Sequence, residues 1–174
     1  MEQWKENKVI YDGAIFRVRT GDVTLEDGTI AQREVIEHPG GVGVVPYTGE
    51  GVILVRQYRI AIGKTILEMP AGKRESDEDP AACGMRELIE ETGYRAGKLI
   101  DAGAVYATVG YCSEKIHIYL ALDLEHIGQN LDDEERIELV ELSLDAVRQG
   151  LKENQFEDAK TVVGLYALLQ YLDG

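Results

Sequence analysis

Three glutamates at positions 87, 90 and 91 follow directly on Arg86, inside the stretch GKRESDEDPAACGMRELIEETGY at residues 72–94. On a helix the i, i+3, i+4 spacing places all three carboxylates within an arc of about 100°. Ala82, Met85, Leu88, Ile89 and Thr92 fall on the opposite side. The segment therefore predicts an amphipathic helix whose polar face is concentrated negative charge. Asp79 suits an N-cap, Pro80 the first helical turn and Gly93 a left-handed C-cap, which bounds the helix at 80–92. Two carboxylates about 6 Å apart repel by roughly 3 kcal/mol at an effective dielectric near 20, before screening. Only Arg86, four residues before Glu90, offers local relief. On spacing alone, a solvated acidic face and a site for a hard divalent cation both remain open.

Composition sets the frame for that chemistry. The chain has 174 residues, 44% apolar and 29% charged, which is enough for one solid core with a small appended unit. No run approaches the roughly 18 apolar residues of a membrane span, and MEQWKENKVIYDG at the start lacks the layout of a signal peptide. A net charge of −14 argues against a general nucleic-acid binder, which needs a basic footprint. Cys83 and Cys112 stand in no metal-ligand motif and are expected as buried thiols, with a cytoplasmic location. His38, His117 and His126 have no spacing that suggests zinc and are expected to be ordinary structural or surface residues.

Several short elements must position the acidic helix. Lys8–Tyr11, Ala14–Thr20, Asp22–Leu25 and Ala31–His38 alternate as strands, with a hairpin turn at Glu26-Asp27-Gly28. Such a meander cannot hold a core alone and must pack on something else. Strands are expected at Gly43–Tyr47, Val52–Tyr58, Thr65–Met69, Ala102–Ala107, Lys115–Leu122 and Ile137–Leu142. Gln129–Arg136 reads as an acidic loop, and Leu144–Gly150 and Asp158–Tyr171 as helices. Mixed strands with helices packed outside indicate an α+β or α/β sandwich.

Gly72, Glu78, Arg86, Glu87, Leu88, Glu90, Glu91 and Gly93 fit the pattern G-x5-E-x7-R-E-U-x-E-E-x-G-U, where U is a bulky apolar residue. In this the chain resembles the Nudix hydrolases, with Tyr94 at the last apolar place as a mild departure. REVIEHPG at 33–40, VRQYR at 55–59, EMPAG at 68–72, GYCSEK at 110–115 and DAKT at 158–161 are similar to the ADP-ribose pyrophosphatase branch of that family. The resemblance implies a Nudix fold: an α/β/α sandwich with a mixed central sheet at 41–174, joined to an N-terminal antiparallel β-sheet subdomain at 1–40. It also implies a domain-swapped homodimer whose N-terminal sheet helps form the partner's substrate pocket.

The same resemblance assigns roles to residues. The Ala71 carbonyl with Glu87, Glu90 and Glu91 is expected to hold Mg²⁺, with Mn²⁺ as an alternative, and Arg86 to orient the glutamates. In the acidic loop Glu135 matches the general base, with Glu134 second. Glu78 can pair with Arg86 or with nearby backbone. Arg33, Arg56 and Arg59 are candidate clamps for a diphosphate, since a guanidinium matches phosphate oxygens bidentately. Glu68, Gly110 and Glu114 join them as substrate contacts, and Phe16 and Tyr58 as stacking candidates. The implied reaction is hydrolysis of ADP-ribose or a related nucleoside diphosphate sugar to a nucleoside monophosphate and a sugar phosphate. Val109 stands where proline often precedes the matching glycine, which leaves other sugars open. A nucleoside triphosphate pyrophosphohydrolase and a non-catalytic nucleotide-sensing module are the alternatives.

Overall fold

Alternating side chains at the start of the chain build an antiparallel meander. Strands β1 (Gln3–Asp12), β2 (Arg17–Thr24) and β3 (Ile30–Glu37) lie in the order β1-β2-β3. The computed structural model describes residues 1–75, 77–131 and 136–174. The expected turn forms: Gly28 has φ 83°, and its N–H donates to the Leu25 carbonyl at 3.0 Å. The expected break between Ala14–Thr20 and Asp22–Leu25 does not exist, because Gly21 lies inside β2. It is a close-approach glycine rather than a turn: a Cβ there would stand 2.2 Å from the Glu6 carbonyl oxygen. Residues 106–115 cluster with this sheet to give one compact unit, Met1–Gly40 with Tyr106–Lys115. The link is backbone pairing: Ile36 N–H donates to the Tyr111 carbonyl at 2.7 Å, and Ser113 N–H to the Ile36 carbonyl at 2.9 Å.

The second unit, Gly41–Val105 with Ile116–Gly174, is layered. Its central sheet holds β4 (Gly41–Pro46), β7 (Ala71–Lys73), β8 (Tyr94–Tyr106) and β9 (Lys115–His126), ordered β7-β4-β9-β8. Strand β4 runs parallel to β9 and antiparallel to β7, so the sheet is mixed. A second sheet orders β10 (Glu138–Ser143), β5 (Gly51–Arg59) and β6 (Lys64–Glu68) as β10-β5-β6. Every residue of β4 is buried, as a strand covered on both faces requires. Val42 and Val44 pack with Cys83 and Leu88 of helix α1 (Pro80–Thr92). Val45 packs on the other side with Val147 of α2 (Leu144–Lys152) and Leu165 and Leu168 of α3 (Ala159–Asp173). This is the expected α/β/α sandwich.

The helix ends follow from the expected caps. Asp79 Oδ1 accepts from the Ala81 and Ala82 N–H groups, Ser143 Oγ from Ala146 N–H, and Asp158 Oδ2 from Thr161 N–H. Strand β8 begins at Tyr94 rather than near Ala102. Its first half is polar because it is the edge of the sheet, with Ala96 turned into the core beside α1. Cys83 is buried, Cys112 is half-buried and both are free thiols. Among the described residues no helix is long and apolar enough to cross a membrane.

Candidate active site

Helix α1 brings the acidic residues onto the edge of the central sheet. Its inner face is Cys83, Gly84, Leu88, Glu91 and Thr92. Two details correct the sequence reading of that helix. Ala82 is exposed rather than on the apolar side, and Glu91 is buried at 3% exposure rather than on an open acidic face. A buried carboxylate needs a hydrogen-bond donor, and Glu91 Oε2 accepts from the Ala71 N–H at 2.9 Å. The Pro70 carbonyl in turn accepts from Val44 N–H at 2.9 Å. Pro70 and the start of β7 are thereby held between β4 and α1.

Arg86 organises the other carboxylates. Its Nε and Nη2 each donate to one oxygen of Glu78 at 3.0 Å, a bidentate pair. Nη1 donates to Glu87 Oε1 at 2.7 Å and to Glu90 Oε2 at 3.0 Å. One guanidinium therefore relieves the repulsion among three carboxylates. Arg86 holds the Glu78 carboxyl down to about 2, and Glu78 chiefly raises the Arg86 guanidinium above its ordinary value. Burial, with Glu78 beside it, pushes the Cys83 thiol up to about 12. That thiol is therefore protonated and unreactive at neutral pH.

Two glycines let the carboxylates come this close. A Cβ on residue 72 would stand 1.9 Å from the Glu87 carboxylate, so only glycine leaves room for that group. Gly93, at φ 74°, ends the helix and donates to the Ile89 carbonyl at 2.8 Å. Its own carbonyl accepts from Ile127 at 2.8 Å and Gly128 at 3.1 Å. Asn130 N–H donates to the Glu90 carbonyl at 3.2 Å, and Gln129 Nε2 to the Glu91 carbonyl. The segment leading to the acidic loop is thus tied to the C-terminal end of α1, a contact that sequence reasoning missed. Glu134 and Glu135, the candidate bases, lie outside the described residues.

Arg59 and Glu68 form an adjacent pair. Arg59 Nε and Nη2 donate to the two Glu68 oxygens at 2.6 and 3.1 Å. Lys160 Nζ donates to Glu68 Oε2 at 2.5 Å. Burial pushes the Glu68 carboxyl up, but Arg59 and Lys160 together hold it below its ordinary value. Burial acts to lower Arg59, yet Glu68 and the charge of Glu91 hold it above. Arg56 is separate from this group and pairs with Glu138 at 2.8 Å on an exposed surface.

Arg33, Gly110, Glu114 and Phe16 belong to the first compact unit. Arg33 makes a bidentate pair with Glu2 at 2.9 and 2.5 Å. Arg33 and Gly110 line the same depression of about 390 Å³ with Glu2, Trp4, Val23 and Val35. Glu114 Oε1 lies 3.7 Å from His38 Nδ1. Phe16 packs on Tyr11 with ring centroids 5.4 Å apart, and Tyr58, in the second unit, is exposed. Among the described residues no three Asp, Glu, His or Cys side chains are already gathered as a metal cluster. Arg86 donates to Glu87 and Glu90, and the Ala71 N–H to one oxygen of Glu91.

The NUDIX domain model matches residues 37–163. The chain is 37% identical to the methanol dehydrogenase activator of Bacillus methanolicus, over 98% of this chain and 92% of the relative. It is 39% identical to the ADP-ribose pyrophosphatase of Bacillus subtilis (strain 168), over 94% of this chain and 88% of the relative. Identity to the GDP-mannose pyrophosphatase of Cronobacter sakazakii is 33%, over 91% and 87%. A crystal structure titled ADP compounds hydrolase superposes with a TM-score of 0.88 at 24% identity, covering 99% of this chain and 95% of that one, and shows the same fold. By its matching model and by these relatives, the chain belongs to the Nudix family.

Proposed function

We propose that this protein hydrolyses the diphosphate bond of a nucleoside diphosphate sugar, with ADP-ribose the leading substrate. The products are a nucleoside monophosphate and a sugar phosphate. The observation that carries the reading is the set of carboxylates on α1, packed against Gly72 and held by one arginine. Relatives named for ADP-ribose and GDP-mannose support the substrate class.

The donor set fits a hard divalent cation. Carboxylate oxygens of Glu87, Glu90 and Glu91 and the carbonyl of Ala71 are the oxygen ligands that such an ion prefers. We take the ion to be Mg²⁺, with Mn²⁺ as a substitute. When bound it supplies neutralisation of the diphosphate and acidification of a nearby water. Arg86 keeps Glu87 and Glu90 oriented until they are needed as ligands, and the Ala71 N–H holds Glu91 in place. Arg59 offers its unused guanidinium N–H groups to a phosphate oxygen, with Arg56 and Arg33 as further clamps. Glu68 fixes Arg59, and Gly110, Glu114 and Phe16 contact the nucleoside or the sugar. Glu135, or Glu134 beside it, takes the proton of the attacking water. That water adds to one phosphorus as the bridging oxygen leaves with the other phosphate.

The rest of the assembly is part of the same proposal. Strand β1 is exposed along its whole length and carries Trp4, Val9, Ile10 and Tyr11 outward, which supports a homodimer built through residues 1–40. Two free cysteines are in keeping with a reducing cytoplasm. A product-resolved screen of ADP-ribose, GDP-mannose and dNTPs with Mg²⁺ or Mn²⁺ tests the reading. AMP and ribose 5-phosphate are the expected products from ADP-ribose. Pyrophosphate released from dNTPs alone would move the protein to the triphosphate class. No cleavage of any substrate would leave a binding or activating role, as in the name of the Bacillus methanolicus relative.

A further inference from the structure

The string Asp158-Ala159-Lys160-Thr161 supplies no group to the reaction above, yet its polar atoms converge on Glu68 and Met69. Asp158 Oδ2 accepts from Thr161 N–H at 3.0 Å and forms an ion pair with Lys160 Nζ at 2.9 Å. The Lys160 side chain is only 13% exposed, and its Nζ reaches Glu68 Oε2 at 2.5 Å. Glu68, 3% exposed at its side chain, thus faces two cations, Lys160 and Arg59. One would neutralise it; the second has a different use. Arg59 is 41% exposed and spends only Nε and Nη2 on Glu68. Its Nη1 has no protein acceptor among the described residues.

We propose that Lys160 is a positioning residue for substrate: by anchoring Glu68 it fixes the Arg59 guanidinium with Nη1 free for the diphosphate. The inference rests on the diphosphate reading given above. A guanidinium carries five N–H donors in a rigid fork. Two are engaged by Glu68, and the remaining three suit phosphate oxygens. Without Lys160, Glu68 keeps a single partner and its carboxylate can rotate, so Arg59 loses a fixed platform. The ordering of Arg59 then falls on the binding step. Lys160 moves no proton and touches no reacting atom, so the chemical step is spared.

A mutant cycle between Lys160 and Arg59 tests this. Lys160→Met is expected to raise KM for ADP-ribose by about tenfold, the order of one charge-assisted hydrogen bond, with kcat within about twofold. Lys160→Arg is expected to restore KM. In an Arg59→Met background, Lys160→Met is expected to add nothing further, because the two residues act through one contact. An equal rise in KM in that background would overturn the proposal, as would a fall in kcat with KM unchanged. Should Lys160→Met not fold, Lys160→Gln carries the same test. If the wild type cleaves no nucleoside diphosphate sugar, the functional reading fails. The same four proteins are then titrated calorimetrically with inorganic pyrophosphate. Non-additive loss of affinity supports the role of Lys160, and additive loss overturns it.

Discussion

The carboxylate of Glu87 lies in the space that a side chain at residue 72 would need, with a Cβ there only 1.9 Å from the carboxylate carbon. The obstacle is the end of a movable side chain rather than backbone. Gly72→Ala should therefore leave the fold intact while it displaces Glu87 from the site. A melting temperature within a few degrees of wild type and a fall in kcat/KM of about a hundredfold are expected. Unchanged turnover would remove Glu87 from the metal ligands.

Glu91→Gln keeps an oxygen that can accept from the Ala71 N–H, so this variant should fold normally. Its Mg²⁺-dependent hydrolysis should be nearly abolished, because the amide no longer contributes charge to a cation. Glu91→Ala should in addition lose about 1 kcal/mol of stability, because the half-buried Ala71 N–H loses its acceptor. Full turnover by the glutamine variant would sink the metal assignment.

Acid should act on the Glu78–Arg86 pair in a defined direction. The Glu78 carboxyl is lowered from its ordinary 4.5 to about 2, chiefly by Arg86. Its stabilising effect is therefore fully present above about pH 4.5 and is lost as pH falls toward 2. Glu78→Gln should melt below wild type at neutral pH, with the gap closing as pH drops through that window. A gap that stays constant with pH would show that the charge of Glu78 does not matter.

Glu135→Gln should slow turnover far more than it weakens Mg²⁺ binding, as loss of a general base does, by about a hundredfold or more. Calorimetric Mg²⁺ titration beside single-turnover kinetics separates the two effects. If Glu134→Gln has this phenotype and Glu135→Gln does not, the base is one residue earlier.

Local rules carried much of this structure. Asp79, Pro80 and Gly93 marked the ends of α1 because capping depends on neighbours within one turn. The strand expected at Gly43–Tyr47 forms as Gly41–Pro46, two residues earlier at its start, and its burial on both faces emerges only from the fold. Other contacts joined residues far apart in the chain. Glu91 fell on the polar side of a helical wheel, but the Ala71 N–H draws it inward. The string at 158–161 gave Lys160 no role of its own, and only the fold brings it to Glu68. The clustering of residues 106–115 with the first sheet, through Ile36 and Tyr111, likewise has no cue in composition. Gly21 misled because glycine marks both turns and close approaches, and the sequence does not distinguish them.

Met69 follows directly on β6, and its N–H donates to Thr161 Oγ1 at 2.8 Å across 92 residues of chain. During synthesis, the backbone leading into Pro70-Ala71-Gly72 therefore leaves the ribosome long before its acceptor exists. A nascent chain that has already formed β4, β5 and α1 still lacks this tie. Catalytic competence should then wait for the docking of α3 rather than follow completion of the helix that bears the glutamates.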